Sequence, residues 1–283
     1  MIWLITGSSR GLGNALARAV LDRGDQVVAT ARRPQDLDSL VKAHPDRSRA
    51  AGLDVTDPAA ARAAVQTAVR EFGRLDVVVN NAGYADSIPI EEMPLSDFRA
   101  QIETNFYGVV HVTRAALPVF RQQRSGHFIQ ISSVGGRVGG SPGMGAYQSA
   151  KFAVEGFSEV LNAEAGPLGI KVTIVEPGAF RTDWSGSSMR RPPVGADYEP
   201  TVGQMNRMRD ATAATWPGDP ARAAQVIADI AGRDDPPLRL LLGSDALAAA
   251  ERSSASRATE AQAWADVSRS TDFAPAAVRP ARP

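Results

Sequence analysis

Ile2-Trp3-Leu4-Ile5-Thr6-Gly7-Ser8-Ser9-Arg10-Gly11-Leu12-Gly13, continuing as Asn14-Ala15-Leu16-Ala17-Arg18-Ala19-Val20-Leu21, reads as a short apolar strand, a glycine-rich turn and an alanine-rich amphipathic helix. The order has a physical meaning. Glycines let the backbone turn tightly and approach a ligand closely, and a helix N-terminus offers unpaired N–H groups and partial positive charge. Together they form a cradle for a phosphate or pyrophosphate, and the placement of the turn between a strand and a helix is what gives the glycine pattern its weight.

Outward from this unit the alternation continues, with strands at Gln26 to Ala31, Arg49 to Val55 and Leu75 to Asn80, and helices near Gln35 to Ala43 and Ala59 to Phe72. Uninterrupted apolar runs such as Val77-Val78-Val79 belong to strands buried on both faces. Beyond a loop at Tyr84 to Pro94 a long helix is predicted from Ser96 to Phe120, then a strand at Gly126 to Ile131. The helix carrying Tyr147 follows, ending near Gly166-Pro167, then a strand at Ile170 to Val175. A helix at Pro220 to Ala231, a strand at Leu238 to Leu242 and a helix from about Asp245 to Val267 complete the pattern. The predicted fold is α/β, a single doubly wound Rossmann-like domain over residues 1–269, with a central parallel seven-stranded sheet and helices on both faces. No linker or repeat divides it. Ligands of such sheets bind at the carboxyl ends of the strands, so Thr6 to Gly13, Arg32, Asp54-Val55 and Asn80-Asn81-Ala82-Gly83 are expected to converge.

The stretch from Ser132 to Lys151 brings chemistry to that edge. Six glycines between Ser133 and Tyr147, with Pro142 among them, predict a loop running into a helix on which Phe152, Phe157, Val160 and Leu161 lie near a 3.6-residue period. Tyr147 and Lys151, four residues apart, share one helix face. A cation about 4 Å from a phenol interacts at roughly 4 kcal/mol at an effective dielectric near 20, enough to lower a tyrosine pKa by two or three units. Such a tyrosine can exchange protons near neutral pH. Asn105 and Gly108 are poor helix formers inside the long helix and mark a possible functional position; His111 on the same helix reads as structural. The segment Glu176-Pro177-Gly178-Ala179-Phe180-Arg181-Thr182 returns to the ligand edge. From Asp183 to Pro217 periodicity is lost, and Trp184, Met189, Tyr198, Met205, Met208 and Trp216 suit a substrate lid. Residues 270–283, with Pro275, Pro280 and Pro283, read as a flexible tail.

Composition excludes several classes of function. Lys+Arg and Asp+Glu both number 31, so the net charge is zero and nothing points to nucleic acid or an anionic membrane. The absence of cysteine removes disulfides, thiolate ligands and thiol nucleophiles, and three histidines leave little for a metal site. The apolar run Ile2 to Ile5 is too short for a signal-peptide core or a membrane span, and a cytoplasmic protein is expected. A hydrophobic content of 43% supports a sizeable core.

Thr6-Gly7-x-x-x-Gly11-x-Gly13, Asp54, Asn80-Asn81-Ala82-Gly83, Asn105, Ser133, Tyr147-x-x-x-Lys151 and Pro177-Gly178 stand in an order that resembles the ordinary-length short-chain dehydrogenase/reductases over nearly the whole chain. The resemblance implies a catalytic tetrad of Asn105, Ser133, Tyr147 and Lys151. It implies a nicotinamide dinucleotide held by Gly7, Ser9, Arg10, Gly11, Leu12, Gly13, Arg32, Asp54, Val55, Asn81, Ala82, Gly83, Pro177, Gly178, Phe180 and Thr182, together with Tyr147 and Lys151. It also implies a small-molecule carbonyl or alcohol substrate, which the Trp, Met and Tyr side chains of residues 183–217 suggest is apolar and medium-sized, and a homodimer or homotetramer built on the helices after Asn105 and Tyr147. Ser133 lies one residue further from Tyr147 than is usual in the family, which reads as an insertion in the glycine loop; Ser132 is the alternative serine. The second strand ends Ala29-Thr30-Ala31-Arg32-Arg33, without the acid that binds the ribose hydroxyls of NAD, so NADP(H) is the expected cofactor, with Arg10 and Arg32 on its phosphate and Arg33 a solvated charge. Two other readings are a dinucleotide-binding regulator without catalysis and an extended short-chain enzyme such as a sugar-nucleotide epimerase.

Overall fold

The computed structural model describes residues 1–182, 184 and 188–273. In chain order the strands are β1 (Ile2–Ile5), β2 (Gln26–Ala31), β3 (Ser48–Gly52), β4 (Val77–Asn80), β5 (Ala85–Asp86), β6 (Gly126–Ile131), β7 (Ile170–Pro177), β8 (Met189–Arg190) and β9 (Arg239–Leu242). The helices are α1 (Gly11–Asp22), α2 (Asp38–Ala43), α3 (Pro58–Phe72), α4 (Leu95–Ile102), α5 (Gly108–Gln123), α6 (Val134–Arg137), α7 (Gly145–Ala165), α8 (Gln204–Thr212), α9 (Pro220–Ala231), α10 (Ser244–Ala263) and α11 (Ala265–Arg269). Seven strands form one parallel Rossmann-like sheet in the order β3-β2-β1-β4-β6-β7-β9, as the sequence predicts. The chain runs outward from β1 to β3, then crosses back to β4 on the other side of β1. That reversal opens a crevice above the carboxyl ends of β1 and β4.

Both faces of the sheet are dry. Alternate strand residues point to opposite sides: Trp3 and Ile5 join Leu16 and Val20 of α1 and Ile227 of α9, while Ile2 and Leu4 join Val65 of α3, Val112 and Phe120 of α5 and Leu161 of α7. Local signals set the helix ends. The carboxylate of Asp57 accepts from the Ala59 N–H at 2.7 Å at the start of α3, with Pro58 in the first turn, and Gly73 closes that helix at φ +85°. On the outer face of α7, Phe152 and Val160 of the predicted period are exposed, whereas Leu161 is buried.

Three local expectations need correction. The helix predicted from Ser96 to Phe120 is α4 and α5 joined by a π-turn at Glu103–Tyr107, placed where Asn105 stands. Gly108 beyond it lets α5 approach Val55, since a Cβ there would lie 2.6 Å from Val55 Cγ2. The glycine loop is interrupted by the single turn α6, capped by Ser133 Oγ accepting from Gly135 N at 3.0 Å. The segment expected to lack structure contains β8, short turns at Ala196–Tyr198 and Glu199–Gly203, and α8. β8 pairs with β5 in a two-stranded ribbon, and buried Asn206 of α8 accepts from Ser87 Oγ at 2.6 Å. Of that segment, residues 183 and 185–187 lie outside the described residues, as does the predicted tail from residue 274 onward. Among the described residues no helix is long and apolar enough to cross a membrane.

Candidate active site

Thr6, at the end of β1, stitches the crevice together. Its Oγ1 accepts from the N–H groups of Asn81 and Ala82, both at 2.9 Å, while Asn81 Nδ2 donates to the Thr6 and Gly7 carbonyls at 2.9 and 3.1 Å. A side chain at Gly13 would collide with Asn81 and the Gly7 carbonyl, so this glycine serves the packing of turn against strand end. Above the stitch opens a cavity of about 1100 Å³.

One end of the cavity is lined by Ser9, Arg10, Arg32, Arg33, Asp54, Val55 and Thr56. Asp54 accepts from Thr56 N at 3.0 Å and Thr56 Oγ1 at 2.7 Å, and the main-chain bond is the chief reason its carboxyl is held below the ordinary range, with Arg32 adding to the effect. Arg33 pairs with Asp36 at 3.1 Å, which agrees with its reading as a surface charge. Gly7, Gly11, Leu12, Asn81, Ala82 and Gly83 line the middle, with Pro177, Gly178, Phe180 and Thr182 opposite. Gly11 has φ +57°, and a Cβ there would stand 3.8 Å from Thr182 Cβ, filling the gap between the two walls. A Cβ on Gly83 would press on Asn105 and come 3.9 Å from Lys151 Nζ. The N-terminus of α1 has no side-chain cap. An elongated trough with a bare helix end at its middle and arginines at one end fits a dinucleotide phosphate ester.

At the other end stand Ser132, Ser133, Tyr147 and Lys151. A hydrogen bond with Ser133 draws the Tyr147 phenol down, but burial is the larger effect and pushes it well above the ordinary tyrosine range. Lys151 Nζ lies 5.7 Å from the ring centroid and donates to the Ile131 carbonyl at 2.7 Å. Burial lowers its pKa to about 8. The expected depression of the phenol by Lys151 is therefore not what this geometry produces: both groups are desolvated, and the ammonium is directed at a carbonyl. Ser132 is buried with Oγ unpartnered, and the Ser133 hydroxyl is the one that meets the phenol.

Two of the predicted site residues do not line the cavity. Gly13 lies beneath it, and Asn105 is fully buried behind Gly83. Asn105 Nδ2 donates to the Tyr84 and Gln101 carbonyls, both at 2.9 Å, and Oδ1 accepts from Tyr84 N at 3.1 Å, so its amide pins the loop after Gly83. Sequence reasoning passed over Tyr84, Asp86 and Ser188, which do line the cavity. Tyr84 follows the Asn-Asn-Ala-Gly run directly, a signal that was available; Ser188 and Asp86 arrive through the β5–β8 ribbon, which has none.

Fold and site together define an oxidoreductase of the Rossmann-like class. The family model for short chain dehydrogenases matches residues 1–192, and the chain belongs to that family. It is 47% identical over 268 residues to Oxidoreductase BOA17 of Botryotinia fuckeliana, covering 94% of this chain and 97% of that protein. Its fold matches a short-chain dehydrogenase from Streptomyces avermitilis with a TM-score of 0.89 at 40% identity, over 96% of this chain and 99% of that one. A serine dehydrogenase solved in its closed form with NADP+ matches with a TM-score of 0.72 at 28% identity, over 86% and 94% of the two chains. The protein is thus a short-chain oxidoreductase acting on CH–OH groups.

Proposed function

We propose that this enzyme is an NADP(H)-dependent oxidoreductase that transfers a hydride between the nicotinamide and a ketone, aldehyde or secondary alcohol of apolar, medium-sized type. The observation that carries the reading is a single cavity with Arg10 and Arg32 at one end and Ser133, Tyr147 and Lys151 at the other. When bound, the dinucleotide supplies the hydride. Ser133 donates a hydrogen bond to the substrate oxygen, and Tyr147 gives or takes the hydroxyl proton. A phenol kept protonated by burial suits the donor role in reduction. Lys151 binds the nicotinamide ribose. The Asn105 amide is engaged by Tyr84 and Gln101, so its part in the tetrad is to hold the loop after Gly83 in place.

Support for the phosphorylated cofactor comes from the carboxyl end of β2, where Arg32 stands in place of a carboxylate, and from the NADP+ complex of the serine dehydrogenase relative. Support for an apolar substrate comes from the arginines near the lid. Arg190 is held by Asp86 at 2.9 Å and Asp97 at 2.5 Å, Arg191 by Asp210 at 2.7 Å, and Arg181 donates to the Trp216 carbonyl at 2.5 Å. In this reading residues 1–269 act as one catalytic unit, 183–217 as substrate lid and 270–283 as a tail. The enzyme works in the cytoplasm as a homodimer or homotetramer joined through α5 and α7, where exposed Tyr107 stands just before α5 and exposed Phe152 and Val160 lie on α7.

A panel of neutral ketones followed by the loss of NADPH or NADH absorbance tests the proposal. Tyr147→Phe is expected to lower turnover at least about a hundredfold while leaving dinucleotide affinity unchanged. The parent should prefer NADPH by about a hundredfold, from roughly 3 kcal/mol of charged hydrogen bonds, and Arg32→Asp should erase the preference. Turnover of Tyr147→Phe within a few-fold of the parent would remove the proton donor from the scheme. Equal use of both cofactors by the parent would remove the arginines.

A further inference from the structure

Beside Tyr147 lies a small apolar cluster separate from the two cores that pack the sheet: Ala85, Met144, Tyr147 and Met189, with Trp184 against them. It packs the β5–β8 ribbon against the start of α7, beside the cavity. The Trp184 and Tyr147 rings have centroids 4.9 Å apart and are tilted by 52°, and both line the cavity. The indole, unlike the buried phenol ring, is only partly covered, and it borders the cavity next to Tyr147. Met144 and Met189 are buried in the cluster and back the two rings with polarizable thioethers, which favour contact with aromatic rings. The guanidinium of Arg190, which follows Met189 and lines the cavity, is engaged in a two-pronged pair with Asp86 at 3.1 and 2.9 Å, so its charge is neutralised there.

We propose that Trp184 is a specificity-determining residue, and that the enzyme takes carbonyl compounds carrying a planar aryl or conjugated group, whose flat face lies against the indole and so places the carbonyl at Tyr147. A flat ring gains stacking on the indole, while a puckered ring of the same size gains only apolar burial. The inference rests on the carbonyl oxidoreductase reading and deepens it.

The test uses a matched pair of ketones, acetophenone and cyclohexyl methyl ketone, with the parent, Trp184→Phe and Trp184→Ala. Binding to the enzyme loaded with NADP+ is measured by titration calorimetry, which needs no turnover, and kcat and KM are measured with NADPH. The parent is expected to bind acetophenone about tenfold more tightly than its saturated counterpart. Trp184→Phe should keep most of the preference. Trp184→Ala should lose it through a rise of about tenfold in KM for acetophenone, with kcat little changed. A parent without preference, or an alanine variant that retains it, overturns the proposal. So does an alanine variant in which kcat falls alike for both ketones at unchanged KM, because the indole would then only be propping Tyr147. If the binding preference follows Trp184 but neither ketone is turned over, the redox reading fails and the assignment of Trp184 stands.

Discussion

Lys151 shows how far burial alone can tune a reactive group. The ammonium is 4% exposed, one of its three protons is committed to the Ile131 carbonyl, and no carboxylate is among the causes of its shift. Its pKa therefore falls to about 8, with desolvation as the cause. A lysine that donates to the ribose does so best when charged, so dinucleotide binding should favour the protonated form. Below pH 8 the group is already protonated and affinity should be flat; above pH 8 the Kd for NADPH should rise, by at most tenfold per pH unit. Fluorescence titrations at pH 7 and pH 9.5 check this, with Lys151→Met as the variant expected to lose the dependence. A parent whose Kd does not move between the two would place the lysine outside the binding equilibrium. None of this is visible in a Tyr-x-x-x-Lys spacing. The spacing shows that the two side chains share a face, whereas the balance between a nearby charge and desolvation depends on what covers them.

At the scale of elements, the parts that were legible are those whose signals are local. Short runs rich in apolar residues gave β1, β2, β4 and β6, with glycine or asparagine close behind β1 and β4, and the convergence of their carboxyl ends placed the cavity. The structure of residues 188–217, part of the segment proposed as a lid, was not legible, because its order comes from partners about a hundred residues away. β5 and β8 are two residues each, and α8 is a polar helix fastened by side chains. Arg209 of α8 is the main fastening: it donates to Ser87 Oγ at 2.8 Å, Asn206 Oδ1 at 3.2 Å, Ser141 Oγ at 2.6 Å and the Pro142 carbonyl at 3.3 Å. It thus ties α8 to the glycine loop that leads into Tyr147, and Gly143 lies so close to Ser87 and Val202 that the junction has no slack. Arg209→Met keeps the apolar stem and removes the donors. It should raise KM for the carbonyl about tenfold or more, given roughly 1.5 to 3 kcal/mol for a charged hydrogen bond, and speed proteolysis between residues 188 and 216. Dinucleotide affinity should not change. An unaltered KM with unaltered proteolysis would mean that the lid is held by packing alone.

The whole molecule carries a pH dependence at the end of the sheet opposite the site. His127, near the start of β6, is 3% exposed. Thr173 Oγ1 donates to the Pro237 carbonyl at 2.8 Å and so accepts from His127 Nε2–H at 2.9 Å. Burial, reinforced by the nearby Lys171, lowers the pKa of His127 to about 4 from an ordinary 6.5. The unfolded chain therefore takes up a proton near pH 6.5 that the folded chain refuses until about pH 4, so stability is full above pH 6.5 and is lost as pH falls between those values. At 1.36 kcal/mol per unit the loss approaches about 3 kcal/mol. Glu176 contributes in the other direction: burial raises its carboxyl against the pull of Arg137, so protonation on acidification relieves the folded state. The expected balance is a fall in denaturation midpoint between pH 6.5 and 4 that shrinks in His127→Gln, an uncharged side chain able to donate to Thr173. Urea titrations of both proteins at pH 7 and pH 4.5, at one protein concentration so that association does not intrude, decide the matter. If parent and variant lose the same stability on acidification, the proton is being taken up elsewhere.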